Sequence, residues 1–114
     1  MSQTAMDNAA FTEMKELMGD TFKDVISLCL KTLPEQLNQI ETALGNNDPE
    51  SLFNTSHKMK SACGSIGAFG LAEKAEVIEI IGRNGSVDVS EQTLNDFRSA
   101  IDQVISILNA ELYK

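Results

Sequence analysis

A chain of 114 residues is long enough for one domain with a single modest core. Hydrophobic residues make up 42% and aromatics only 5%, with no Trp, so Val, Ile, Leu, Met and Ala must build that core. Seventeen acidic and nine basic side chains leave a formal net charge of −8, which argues against nucleic acid, whose binding depends on neutralising phosphates with Lys and Arg, and against anionic membrane surfaces.

Helical periodicity dominates. Asp7 or Asn8 starts a short first helix through Phe11, Met14 and Leu17, ending near Gly19. Phe22, Ile26, Cys29, Leu33, Leu37, Ile40 and Leu44 then recur at spacings of three and four, the signature of an amphipathic helix. Pro34 falls inside this run, where it removes a backbone donor and crowds the preceding turn, so a kink or brief break is expected there. The apolar phase survives across it, which favours one bent helix over two. Gly45-Asn46-Asn47 ends that helix with residues that tolerate left-handed backbone.

Asp48-Pro49 reads as an N-cap followed by proline at the first helical position. The helix it opens runs to about Ile66, and Gly67 breaks it. A further helix is predicted from Ala68 to Gly82, with Leu71, Ala75, Ile78 and Ile81 inward, followed by the turn Arg83-Asn84-Gly85-Ser86. Asp88 to Glu91 fits a D-x-x-E capping box. The last helix carries Leu94, Phe97, Ile101, Val104, Ile105, Leu108 and Leu112. No strand-like alternation is sustained. The expected fold is all-α: an antiparallel four-helix bundle with a short additional N-terminal helix, one domain over residues 1–114. A start at Met1 and an end close behind the last helix lead us to expect a free-standing chain.

No apolar stretch approaches the roughly 20 residues needed to cross a bilayer, and residues 1–10 lack the basic and apolar regions of a signal peptide. A cytoplasmic protein is expected. Cys29 and Cys63 both sit in apolar patterns and read as small buried thiols. With no CxxC and a single histidine, a zinc site has almost no ligands to draw on.

That histidine, His57, stands in the run Ser56-His57-Lys58-Met59-Lys60-Ser61-Ala62-Cys63-Gly64. A helix turns about 100° per residue, so with His57 at zero, Leu52, Met59, Ala62, Cys63 and Ile66 cluster between about 140° and 240°. They form the buried stripe, and His57 lies opposite. Lys60, Ser61 and Gly64 share its face within about 60°, Phe53 lies about 40° away, and Lys58 flanks at about 100°. A core histidine fails on phase, while an idle surface histidine does not. Gly64 weighs against idleness, because glycine costs about 1 kcal/mol relative to alanine inside a helix and here it opens space beside the imidazole. Phe53 reads equally well as a docking hydrophobe or as packing against a neighbouring helix.

His57-Lys58-Met59-Lys60-Ser61-Ala62, followed by Gly67-Ala68-Phe69-Gly70-Leu71, resembles the signature of histidine-containing phosphotransfer (HPt) domains, usually His-x-Leu-Lys-Gly-Ser/Ala and then Gly-Ala-x-x-Leu. Phe11, Leu17, Gly19-Asp20, Phe22, Pro34, Leu37, Ala43-Leu44, Asp48 and Leu52 also fall where the family commonly has such residues, so the likeness covers nearly the whole chain. Met59 for leucine and Ser61 for glycine are the two departures.

The resemblance implies a monomeric phosphocarrier of two-component phosphorelays. His57 would take a phosphoryl group from the phospho-aspartate of a receiver domain, belonging to a response regulator or hybrid sensor kinase, and pass it to another receiver aspartate. It implies that Lys60 and Lys58 neutralise phosphoryl oxygens and that Ser61 and Gly64 allow close approach; Phe53, on its helical phase, is a candidate docking residue on the same face. Mg²⁺ is expected in the partner receiver, with no cofactor here. No GxxxxGK[ST] pattern is present, so neither ATP binding nor autokinase activity is expected. The competing reading is a non-catalytic helical adaptor that binds a signalling protein through the same face. An enzyme using His57 as a general base would need a pocket and a partner acid on a convex helix face, and the sequence offers neither.

Overall fold

Apolar residues at spacings of three and four close into five helices: α1 (Asn8–Met18), α2 (Phe22–Gly45), α3 (Pro49–Ser65), α4 (Phe69–Arg83) and α5 (Glu91–Leu112). The structure is a computed structural model and describes residues 5–113; residues 1–4 and 114 of the expected domain lie outside the described residues. A 3-10 turn, Gly19–Thr21, joins α1 to α2.

α2 packs against α3 and α5, and α4 packs against the same two helices. The four thus form a closed ring, and the short connections 46–48, 66–68 and 84–90 make neighbours antiparallel. The core lies on the ring's axis. It is built from Ile26, Leu33 and Ile40 of α2, Leu52, Met59 and Cys63 of α3, Leu71, Ala75 and Ile78 of α4, and Phe97, Ile101, Val104 and Leu108 of α5. Each large side chain removed from water here contributes about 1.5–3 kcal/mol. The expected four-helix bundle is the observed one.

The termini explain why these elements start where they do. Asp7 caps α1, its carboxylate accepting from Ala10 N at 3.0 Å. Asp48 caps α3, accepting from Ser51 N at 3.1 Å, with Pro49 at the first helical position. Ala68 has no side chain that can cap α4. The N-terminal segment supplies the missing acceptor: Ala5 O takes the bond from Leu71 N at 3.2 Å, and Asp7 N donates to Gly67 O at 2.9 Å. Ala5 and Met6 are buried in this contact. Gly67 has φ +82, and a methyl group on it would lie 2.9 Å from Ala10 Cβ, so only glycine fits the corner between α3, α4 and α1.

α2 runs through Pro34 as one helix, as the uninterrupted apolar phase led us to expect; the residues on both sides of the proline, buried against α3 and α5, hold it together. The structure departs from the sequence expectations at two places. Leu17 points to solvent with 75% of its surface exposed, because α1 packs along Phe11, Met14 and Met18, and Leu17 lies off that stripe. The cap of α5 is Ser90 rather than Asp88. Ser90 is extended and its Oγ accepts from Thr93 N at 3.1 Å, while the Asp88 backbone is tied to Ser86 Oγ at 2.9 Å. Val87 and Val89 pack against the core and hold that stretch extended.

Candidate functional site

The site arises where α3 and α4 come closest. A methyl group on Gly82 would lie 2.7 Å from Phe53 N and 2.9 Å from Pro49 O, so the two backbones touch there through the absent side chain. One helical turn along α3 leads from Phe53 to His57. One turn back along α4 leads from Gly82 to Glu79. Since the helices are antiparallel, His57 and Glu79 meet: His57 Nδ1 lies 3.1 Å from Glu79 Oε2.

Glu79 organises its surroundings. Its side chain is 1% exposed and three groups converge on it. Lys60 Nζ approaches Oε1 at 2.7 Å as an ion pair rather than a well-directed hydrogen bond. Oε2 takes His57 Nδ1 and also the guanidinium of Arg83, one turn further along α4, at 3.1 Å. Burial by itself pushes the Glu79 carboxyl up; the Lys60 ammonium, the His57 hydrogen bond and Arg83 outweigh it and hold the group below its ordinary value. A carboxylate is thus ionised in a place where an unpaired one would be very costly.

The imidazole is anchored on one edge and open on the other, with 53% of the His57 side chain exposed. Its ring stacks on Phe53, centroids 5.8 Å apart and planes 19° from parallel. The Arg83 guanidinium lies over the Phe53 ring, 5.9 Å from its centroid. Phe53 therefore packs within its own molecule, against His57, Arg83 and the backbone at Gly82.

Of the residues singled out by sequence, His57, Lys60 and Phe53 come together, and Lys58 and Ser61 are exposed beside them on α3. Among the described residues Lys58 makes no ion pair. Gly64 is half-buried, and a methyl group on it would meet nothing within 4 Å, so the fold itself does not demand glycine there. Helical projection placed Lys60 on the solvent side; the structure turns it inward to Glu79, leaving 29% of the side chain exposed. α3 packs against α2 and α4, so its covered arc is wider than its apolar stripe.

Sequence reasoning missed Glu79 and Arg83. The signal was present: Glu79 sits four residues after Ala75 and three before Gly82, on the inward stripe of α4. A glutamate on a buried stripe demands cations, and the cations were already noticed on α3. Lys58, Lys60 and Arg83 are three of the nine basic side chains in a chain of net charge −8. They give this face a local positive character. Among the described residues no three His, Cys, Asp or Glu side chains come together in a way that could hold a metal ion, and no helix is long and apolar enough to cross a membrane.

Residues 24–107, which contain His57, Lys60, Glu79 and Arg83, match the family model of the Hpt domain. The chain belongs to the Hpt domain family. Over 67 residues this Hpt chain is 31% identical to the signal transduction histidine-protein kinase BarA of Shigella flexneri and to that of Escherichia coli K12. The match takes in 59% of the Hpt chain but 7% of either kinase, so the chain corresponds to a small part of those relatives. The bundle superimposes on histidine-containing phosphotransfer protein B (HptB) of Pseudomonas aeruginosa PAO1 with a TM-score of 0.87 and 20% identity, over 96% of this chain and 95% of that one. It also matches the HPT domain of a sensor hybrid histidine kinase from Shewanella, with a TM-score of 0.78, 20% identity and coverage of 96% and 94%. At that identity the Hpt chain shares their fold.

Proposed function

We propose that this Hpt domain is a phosphorelay intermediate in which His57 accepts a phosphoryl group from the phospho-aspartate of a receiver domain and passes it to the aspartate of another. The observation that carries the reading is the His57 imidazole itself, half-exposed on one edge and held on the other by a buried, ionised carboxylate within a basic cluster.

Such an arrangement suits exchange between two acidic partners. A receiver brings an aspartyl phosphate and the Mg²⁺ that serves it. The Hpt face offers a nucleophile, a positive field that complements the receiver's acidic pocket, and at Ser61 and Gly64 little bulk to keep the two backbones apart. Lys60 and Lys58 are the residues that neutralise phosphoryl oxygens during transfer. Lys58 is free to reach outward, and Lys60 must leave Glu79 to do so.

The test is acid-labile label. The chain is incubated with a phosphorylated receiver and Mg²⁺, and phosphate is followed onto it, with His57→Gln alongside. Label on the parent chain and none on the variant is the expected result. Equal labelling of the variant would remove His57 from the mechanism, and no label across a panel of receivers would leave a protein that docks without chemistry.

A further inference from the structure

We propose that the cleft between α2 and α3 is a binding site for a small neutral aromatic molecule that carries one hydrogen-bond donor and is about the size of phenol. The cleft shares no side chain with the His57 cluster, so the proposal stands apart from the phosphocarrier reading.

Cys29, Leu33 and Gln36 of α2 and Ala62, Cys63 and Ile66 of α3 enclose about 120 Å³. Leu28 stands in the wall with 64% of its surface exposed, so the cleft opens to solvent there. An engineered apolar cavity of roughly 150 Å³ stays dry and takes up benzene, and the space here suits one ring in the same way. No charged side chain lines it. Burial pushes the Cys63 thiol up to about 12 and raises that of Cys29 as well, so both sulfurs are neutral at pH 7. A charged ligand would lose its hydration here and find no counter-charge. A neutral ring gains apolar burial, and sulfur against a ring edge is favourable.

Gln36 adds a polar requirement. Only 8% of it is exposed, and its Oε1 has no hydrogen-bond partner among the described residues. A buried acceptor left open is costly. Thr32, the other oxygen-bearing side chain of the wall, donates its hydroxyl proton to Leu28 O at 2.7 Å. The wall therefore has no hydroxyl proton to spare for Gln36. A single water would satisfy Oε1 but find few other polar partners among these side chains. A ligand with a ring and one O–H or N–H meets both conditions: the ring fills the apolar space and the proton goes to Gln36 Oε1. The terminal torsion of a glutamine is soft, so the carbonyl can turn to meet it.

The probes are phenol, which has the donor, and toluene, which does not. Titrated into the ¹⁵N-labelled parent chain, phenol is expected to give saturable shifts centred on residues 28–36 and 62–66, and to protect the half-buried Cys29 from a maleimide. Shifts that do not saturate, shifts spread evenly over all the helices, or full Cys29 reactivity at saturating phenol would each overturn the proposal without any variant having to fold. Gln36→Met keeps the reach of the side chain and removes the acceptor. In it, phenol is expected to weaken about fivefold relative to toluene. Ala62→Leu extends a half-buried wall residue into the cleft and is expected to abolish binding of both probes. An unchanged phenol-to-toluene ratio in folded Gln36→Met, or undiminished binding in folded Ala62→Leu, would also overturn it.

Discussion

Phe53 and Gly82 are in backbone contact, and the glycine is what brings His57 within reach of Glu79. A methyl group at Gly82 would sit 2.7 Å from the Phe53 nitrogen, a main-chain atom of α3 rather than the far end of a flexible side chain. Gly82→Ala gains up to about 1 kcal/mol of helix propensity but forces α3 and α4 apart, a strain of about 1–3 kcal/mol. The strain should win. Urea denaturation is expected to show a less stable protein, and phosphotransfer should slow as the His57–Glu79 bond lengthens. A more stable Gly82→Ala would mean that the two helices pass with room to spare.

Gly64 predicts the opposite sign for the same substitution. It is helical and nothing stands within 4 Å of where its Cβ would go. Gly64→Ala is expected to stabilise the chain by roughly 0.5–1 kcal/mol. If the glycine serves close approach of a receiver, Gly64→Leu should fold as well as the parent and still accept phosphate more slowly. Equal transfer rates at matched stability would take Gly64 out of the interface.

Glu79 makes the fold acid-sensitive in a defined direction. Its carboxyl is held below the ordinary glutamate value in the folded chain. A lowered folded-state value contributes stability that is present above the unfolded value and is lost as pH falls through the folded one. Between neutral pH and about pH 3 the parent should therefore lose more stability than Glu79→Gln, because the remaining carboxylates are common to both. Denaturation midpoints at a series of pH values check this. Parallel pH profiles for the two proteins would show that the Glu79 ion pairs add nothing to the folded state.

How much of this was legible in the sequence differs by level. The bundle was, because Ile26, Leu33 and Ile40, or Phe97, Ile101, Val104 and Leu108, recur at helical spacing and are all buried. His57 was also legible, since it is alone and out of phase with Leu52, Met59 and Cys63. The inward position of Glu79 on α4 was legible too, but its pairing with His57 was not, because the helical phase of one element says nothing about which residue of another it will face. That depends on the Gly82 contact, which sets the register of α4 against α3, and the contact exists only once both helices are packed. The cap at Ser90 escaped for a related reason: Asp88 satisfies the pattern equally well, and only the burial of Val87 and Val89 keeps that segment out of the helix.

Lys60 is where the two levels disagree most usefully. Helical phase alone makes it a solvent-facing lysine, so that Lys60→Ala should slow transfer and leave stability untouched. The ion pair with Glu79, whose side chain is almost completely buried, adds a second consequence. Removing the ammonium leaves Glu79 with His57 and Arg83 on Oε2 and nothing on Oε1, and an unsatisfied buried acceptor costs about 1–3 kcal/mol. Lys60→Ala is therefore expected to remain helical by circular dichroism, to unfold at lower urea concentration, and to accept phosphate more slowly. Lys60→Ala,Glu79→Gln separates the two effects: the neutral amide has no charge to satisfy, so stability should return toward that of Glu79→Gln alone while transfer stays slow. A double variant as unstable as the sum of the singles would show that Lys60 and Glu79 act independently.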